Sequence, residues 1–108
     1  MNHCMYQPAS LNALMHDAFL TAVAHGFWEG HDPSDTTVRL AKLALIASEV
    51  GEAVEAVRVR GGNFAEELAD ICIRVFDLAC ACGVDLEEAL LAKMAKNITR
   101  PRMHGKLA

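Results

Sequence analysis

The sequence predicts an all-α domain, a bundle of four helices. Three observations predict it. Apolar residues recur at three- and four-residue intervals in four successive segments. Each segment is preceded by Ser, Asp or Asn and closed by Gly or Pro. No segment reads as a strand, and there is no internal repeat or low-complexity tract.

The first helix is expected from about Leu11 to Ala24, capped by Ser10, after a loose leader over 1–8 that ends at Pro8. Leu11, Leu14, Met15, Ala18, Phe19 and Ala22 give it an apolar stripe, and Gly26 closes it. The stretch from Gly26 to Asp35 is a loop by its Gly, Pro and Asp content. Trp28 within it is either a lid over the core or a flat surface for stacking a base.

The second helix is expected from Thr36 or Thr37 to Arg60, with Asp35 or Thr36 as its cap. Leu43, Ile46, Val50, Val54 and Val57 are its expected buried face, and Lys42, Glu49 and Glu52 share a flank. Gly51 mid-helix costs up to about 1 kcal/mol against Ala. It is therefore expected to permit close approach of another backbone. Gly61-Gly62 ends the helix.

Asn63 caps the third helix, Phe64 to about Cys82, with Glu66 completing a capping box. Apolar residues cover most of its circumference, which predicts a central position. What remains polar is one stripe, Glu67, Asp70, Arg74 and Asp77. Gly83 breaks this helix. Asp85, with Glu88 three residues on, caps the fourth, Leu86 to Ile98, and Pro101 stops it. A basic tail over 99–108 follows.

At 108 residues the chain is one domain, 1–108. With 53% hydrophobic and only 22% charged residues, apolar surface is expected to be buried between subunits. The net charge of −4 argues against a nucleic-acid polymer as partner. No apolar run approaches the roughly 20 residues of a membrane span. Met1 to Ala9 lacks the basic-then-apolar order of a signal peptide. Cys4, Cys72, Cys80 and Cys82 form no Cys-x-x-Cys and read as small core residues in a reducing cytoplasm.

The chemistry is carried by two carboxylate pairs, Glu49 with Glu52 and Glu67 with Asp70. Each pair has i,i+3 spacing, so both side chains leave one helix face a turn apart. Four carboxylates facing one another raise each other's pKa, and a divalent cation removes that conflict. Hard oxygen ligands suit Mg²⁺ or Mn²⁺. Such a cation bridges to phosphate oxygens, which Lys93, Asn97, Arg100 and Lys106 can clamp with charge-assisted hydrogen bonds. Metal-assisted phosphate hydrolysis then has its parts. Arg74 is expected to pair with Asp70, with a phosphate contact as the alternative; Asp77 and Glu55 are expected in salt bridges or at the surface. His16, His25 and His31 have no partner at ligand spacing.

Leu45-Ile46-x-Ser48-Glu49-Val50-x-Glu52-Ala53-x-Glu55-Ala56, followed by Glu66-Glu67-Leu68-Ala69-Asp70-Ile71, resembles the all-α nucleoside triphosphate pyrophosphohydrolases of MazG type. So do Val84-Asp85-Leu86, Lys93-Met94-x-x-Asn97 and Arg100-Pro101-x-x-His104-Gly105-Lys106, and Gly26-Phe27-Trp28 matches an aromatic before the second helix. The resemblance spans roughly residues 11–106. It implies a four-helix core assembled as a homodimer or homotetramer, and Mg²⁺ held by Glu49, Glu52, Glu67 and Asp70. It implies hydrolysis between the α and β phosphates to a nucleoside monophosphate and pyrophosphate, in a nucleotide house-cleaning role. It places Lys93 and Asn97 at the phosphates and Phe19 and Trp28 at the base. The chain departs from relatives preferring deoxycytidine triphosphate, which have His at Phe19, a second Trp near Val59 and Tyr at Arg74.

The rival from another class is a non-catalytic helical oligomerisation or regulatory module, whose acids merely pair with basic neighbours. A di-iron carboxylate bundle is weaker, since no His lies three residues after a Glu.

Overall fold

The computed structural model describes residues 6–59 and 61–105. Four helices, α1 Leu11–Ala24, α2 Thr36–Arg58, α3 Phe64–Ala81 and α4 Leu86–Ile98, are followed by a 3₁₀ turn, Arg102–Gly105. Among the described residues there is no strand. The all-α four-helix expectation holds.

The caps form as their chemistry dictates. Ser10 Oγ accepts from Ala13 N at 3.0 Å, and Asp35 Oδ1 accepts from Thr37 N at 2.8 Å. Asn63 and Glu66 close a reciprocal box: Glu66 N donates to Asn63 Oδ1 at 3.0 Å and Asn63 Nδ2 donates to Glu66 Oε2 at 3.1 Å. Asp85 Oδ1 accepts from Glu88 N at 3.0 Å and also from Asn12 Nδ2 at 2.7 Å, which ties the start of α4 to α1. The second helix ends at Arg58, earlier than the sequence predicts, because Val59 turns extended. Gly61 then takes a left-handed φ of +97°. Gly62 lies so close to α2 that a Cβ there would meet the Ala56 backbone at 2.7 Å.

α3 packs against both α1 and α2, and α4 rests on α1 and α3. The predicted central helix is therefore central. Among the described residues the core of a single chain is small: Met15, Trp28, Ala53 and Ala79 are its buried hydrophobic residues. The expected buried face of α2 is not buried within one chain. Leu43, Val50, Val54 and Val57 are all exposed, Val57 by 66%. The periodicity predicts a core stripe, but among the described residues the main helix packed against α2 is α3. A Cβ at Gly51 would likewise meet nothing within 4 Å, so no close approach among the described residues explains this glycine. On α4, Leu90, Leu91, Met94 and Ile98 are exposed too, Ile98 by 84%. The accessible surface is 8100 Å², against about 5,900 Å² for a compact monomer of this mass. Cys72 is exposed and Cys80 and Cys82 are half-buried, so Cys72 is not the core residue expected; Cys4 lies outside the described residues.

Candidate functional site

The spacing of the acids does what a helix requires of it. Glu49 and Glu52 leave α2 one turn apart and face Glu67 on α3. One carboxylate oxygen from each of these three lies within 4.8 Å of the others. Asp70 is not part of that tight trio, but it stands beside it: its charge, with those of Glu49 and Glu67, holds the Glu52 carboxyl above its ordinary range. The largest contribution comes from the neighbouring Glu49 carboxylate. Glu49 is held the other way, below the usual carboxylate range, first by its bond to Arg74. This is the conflict of like charges that the sequence predicts.

Arg74 Nε donates to Glu49 Oε1 at 2.9 Å. Spacing alone pairs Arg74 with Asp70 on its own helix, one turn away. The structure sends it across to α2 instead. Among the described residues this is the one ion pair, and Glu52, Glu67 and Asp70 have no basic partner.

A cavity of about 910 Å³ opens beside the acids. Glu49, Asp70, Arg74 and Asp77 border it on one side, and Leu14, Asp17, Ala18, Thr21 and Phe27 on the other. Its size is that of a small-molecule site.

The loop before α2 is fastened at several points. Phe27 N donates to Ala22 O at 3.0 Å, and Lys42 Nζ donates to Phe27 O at 2.8 Å. Trp28 turns inward and is only 8% exposed. Its Nε1 donates to Asp77 Oδ1 at 2.7 Å. Lys42 Nζ sits 4.4 Å from the Trp28 ring centroid, and Phe19 packs at 6.3 Å between centroids. Asp77 is buried, not the surface or salt-bridge residue expected. Burial pushes its carboxyl up, opposed by the Trp28 bond and then by Lys42 and Arg74. Of the residues expected at the base, neither Phe19 nor Trp28 borders the cavity; Phe27 does, and is 50% exposed.

The expected phosphate clamp lies elsewhere in the chain. Lys93 is exposed, Arg100 Nη1 donates to Asn97 Oδ1 at 3.4 Å, and none of Lys93, Asn97 and Arg100 borders the cavity. Lys106 lies outside the described residues. His25 borders the cavity, while His16 Nδ1 lies 3.7 Å from Cys80 Sγ. Sequence reasoning misses the Trp28–Asp77 bond and the outward Phe27. The available signal is Asp77 itself, an acid closing the polar stripe of an otherwise apolar helix.

Compared with known families, residues 39–104 match the family described as MazG nucleotide pyrophosphohydrolase domain. The match takes in all four acids and the whole of α3 and α4. No curated protein and no solved structure matched the chain significantly.

Proposed function

The chain belongs to the MazG nucleotide pyrophosphohydrolase family, and from that premise we propose that it hydrolyses (deoxy)nucleoside triphosphates between the α and β phosphates. The products are a nucleoside monophosphate and pyrophosphate. The observation that carries this reading is the convergence of Glu49, Glu52 and Glu67 on one point at the edge of a nucleotide-sized cavity.

The donor set fits a hard divalent cation. One carboxylate oxygen from each of Glu49, Glu52 and Glu67 lies within 4.8 Å of the others, and an all-oxygen donor set suits Mg²⁺. Glu49, Glu52, Glu67 and Asp70 would hold Mg²⁺, with Mn²⁺ as a substitute. Bound there, the ion supplies a lowered pKa for water and neutralises charge developing on the phosphates. Arg74 fixes the rotamer of Glu49 through Oε1 and leaves Oε2 for ligation, as partners of ligating carboxylates do. A carboxylate of the set with a free oxygen accepts the proton of the attacking water. The apolar side chains of Leu14 and Ala18 line the cavity and shield part of it from bulk water.

Assembly belongs to the same reading. The exposed faces of α2 and α4 fit a homodimer or homotetramer, in which they are covered by further copies. Lys93, Asn97, Arg100 and Lys106 would then meet the polyphosphate from a neighbouring copy, a reading favoured because Lys93, Asn97 and Arg100 do not border the cavity of their own chain. No helix among the described residues is long and apolar enough to cross a membrane. We place the enzyme in the cytoplasm, acting on the nucleotide pool as a house-cleaning hydrolase. The rival module with merely paired acids is disfavoured by Glu52, Glu67 and Asp70, which have no basic partner among the described residues.

A pyrophosphate-release screen over standard and modified triphosphates, with and without Mg²⁺, tests the reading. Mg²⁺-dependent release from at least one triphosphate is expected. No release from any of them refutes it.

A further inference from the structure

The cavity has a wall that the hydrolysis itself does not use. Trp28, the obvious stacking surface, is fully engaged: its N–H is bound to Asp77, one face carries Lys42 and Phe19 packs beside it. Phe27, its neighbour, is the opposite case. Its backbone is pinned at both N and O, to Ala22 and Lys42, while its ring stands half-exposed at the cavity. A pinned backbone under a half-exposed aromatic ring is a preorganised stacking platform.

Arg74 completes the wall. Its guanidinium carbon stands over the Phe27 ring, 5.9 Å from the centroid, so ring and guanidinium form one surface. Its Nε is used by Glu49. Among the described residues no hydrogen bond engages Nη1 or Nη2. The side chain thus links the acid cluster at one end to an unused pair of parallel donors at the other. A rigid donor fork matches two adjacent acceptors on one edge of a ring. Cytosine offers O2 and N3; guanine offers O6 and N7. Adenine, uracil and thymine alternate donors and acceptors along the same edges. Asp17, on the facing wall, has Oδ2 engaged by the Tyr6 hydroxyl at 2.8 Å and Oδ1 left as an acceptor for an exocyclic amino group such as cytosine and guanine carry.

We propose that Phe27 and Arg74 read the base, Phe27 by stacking and Arg74 through its free donor pair, selecting cytosine or guanine nucleotides over adenine, uracil and thymine. The inference rests on the cavity being the nucleotide site of the proposed hydrolysis. Trp28 in this account is a positioning residue that holds the loop beneath Phe27.

The test is calorimetric binding of the α,β-methylene analogues of dCTP, dGTP, dATP and dUTP, in Mg²⁺, to the full chain and to Arg74→Met, Arg74→Lys, Phe27→Ala and Phe27→Leu. The unaltered protein should bind the cytosine or guanine analogue about 5- to 150-fold more tightly than the adenine and uracil ones. Arg74→Met should collapse that ratio, and Arg74→Lys should not restore it, because an ammonium is a point charge and not a fork. Both Phe27 variants should weaken all four analogues alike. Unchanged base ratios in both Arg74 variants overturn the proposal, as does a preference for adenine or uracil in the unaltered protein. Pyrophosphate release with ratios indifferent to Arg74 defeats the base wall and leaves the hydrolysis standing. Selective binding without release defeats the hydrolysis and leaves the base wall. Failure of the unaltered protein to bind any analogue overturns both.

Discussion

Trp28→Phe isolates a single N–H. The phenyl ring keeps the contact with Phe19 and a face for Lys42, but Asp77 Oδ1 loses the donor now 2.7 Å away. A hydrogen bond to a charged group contributes about 1.5–3 kcal/mol. The smaller ring adds a modest packing loss, so the variant should lose about 2–4 kcal/mol. In a domain of this size that is a large part of the total stability. Asp77→Asn keeps an acceptor for Trp28 and removes the buried charge, so in that background the same Trp28→Phe change should cost about 1 kcal/mol less. The pH dependence has a defined sign. Burial raises the folded pKa of Asp77 above the ordinary value of 3.8. The folded state therefore binds the proton more readily than the unfolded one. Ionising Asp77 costs stability above that folded pKa, and the cost is relieved as pH falls through it. The Trp28 bond offsets part of the cost only while Asp77 is ionised. The gap between the two proteins should be full at neutral pH and narrow on acidification toward and below the folded pKa. Urea unfolding at one fixed protein concentration, from neutral to acidic pH, reads this directly. A loss under about 0.5 kcal/mol at neutral pH, or a gap that widens on acidification, refutes the reasoning.

Glu52→Gln and Asp70→Asn should each abolish pyrophosphate release while far-ultraviolet circular dichroism stays that of a helical protein; near-normal release in both contradicts the acid site. Leu43→Glu or Leu91→Glu, each placing a charge on an exposed apolar face, should shift sedimentation toward the monomer, and an unchanged sedimentation coefficient in both removes those faces from the interface. Gly62→Ala drives a methyl onto the Ala56 backbone and should cost about 1–3 kcal/mol in urea unfolding. Asn63→Ala removes the cap of α3 and should cost about 1 kcal/mol by the same assay.

Local rules make the helices legible. Ser10, Asp35, Asn63 and Asp85 each satisfy backbone donors at a helix start, a matter of one side chain and the next three residues. The i,i+3 spacing of Glu49, Glu52 and Glu67, Asp70 likewise shows which acids share a face. What spacing alone does not encode is which neighbour each face meets. Arg74 could reach Asp70 along its own helix, yet the packing of α3 on α2 offers Glu49 instead. The apolar stripe of α2 suggests a core face because periodicity marks an apolar face without naming what covers it. Trp28 and Phe27 are adjacent aromatics in one loop; only the tertiary position of Asp77 decides that the first turns in and the second stays out.

The central claim is that acids from α2 and α3 together hold one hard cation. Titration of the folded protein with Mn²⁺, followed by the electron paramagnetic resonance of the free ion, measures this without any substrate. Saturable binding in the unaltered protein, weakened about tenfold or more in Glu52→Gln on α2 and in Glu67→Gln on α3, is the predicted result. Equal Mn²⁺ binding in all three proteins contradicts it.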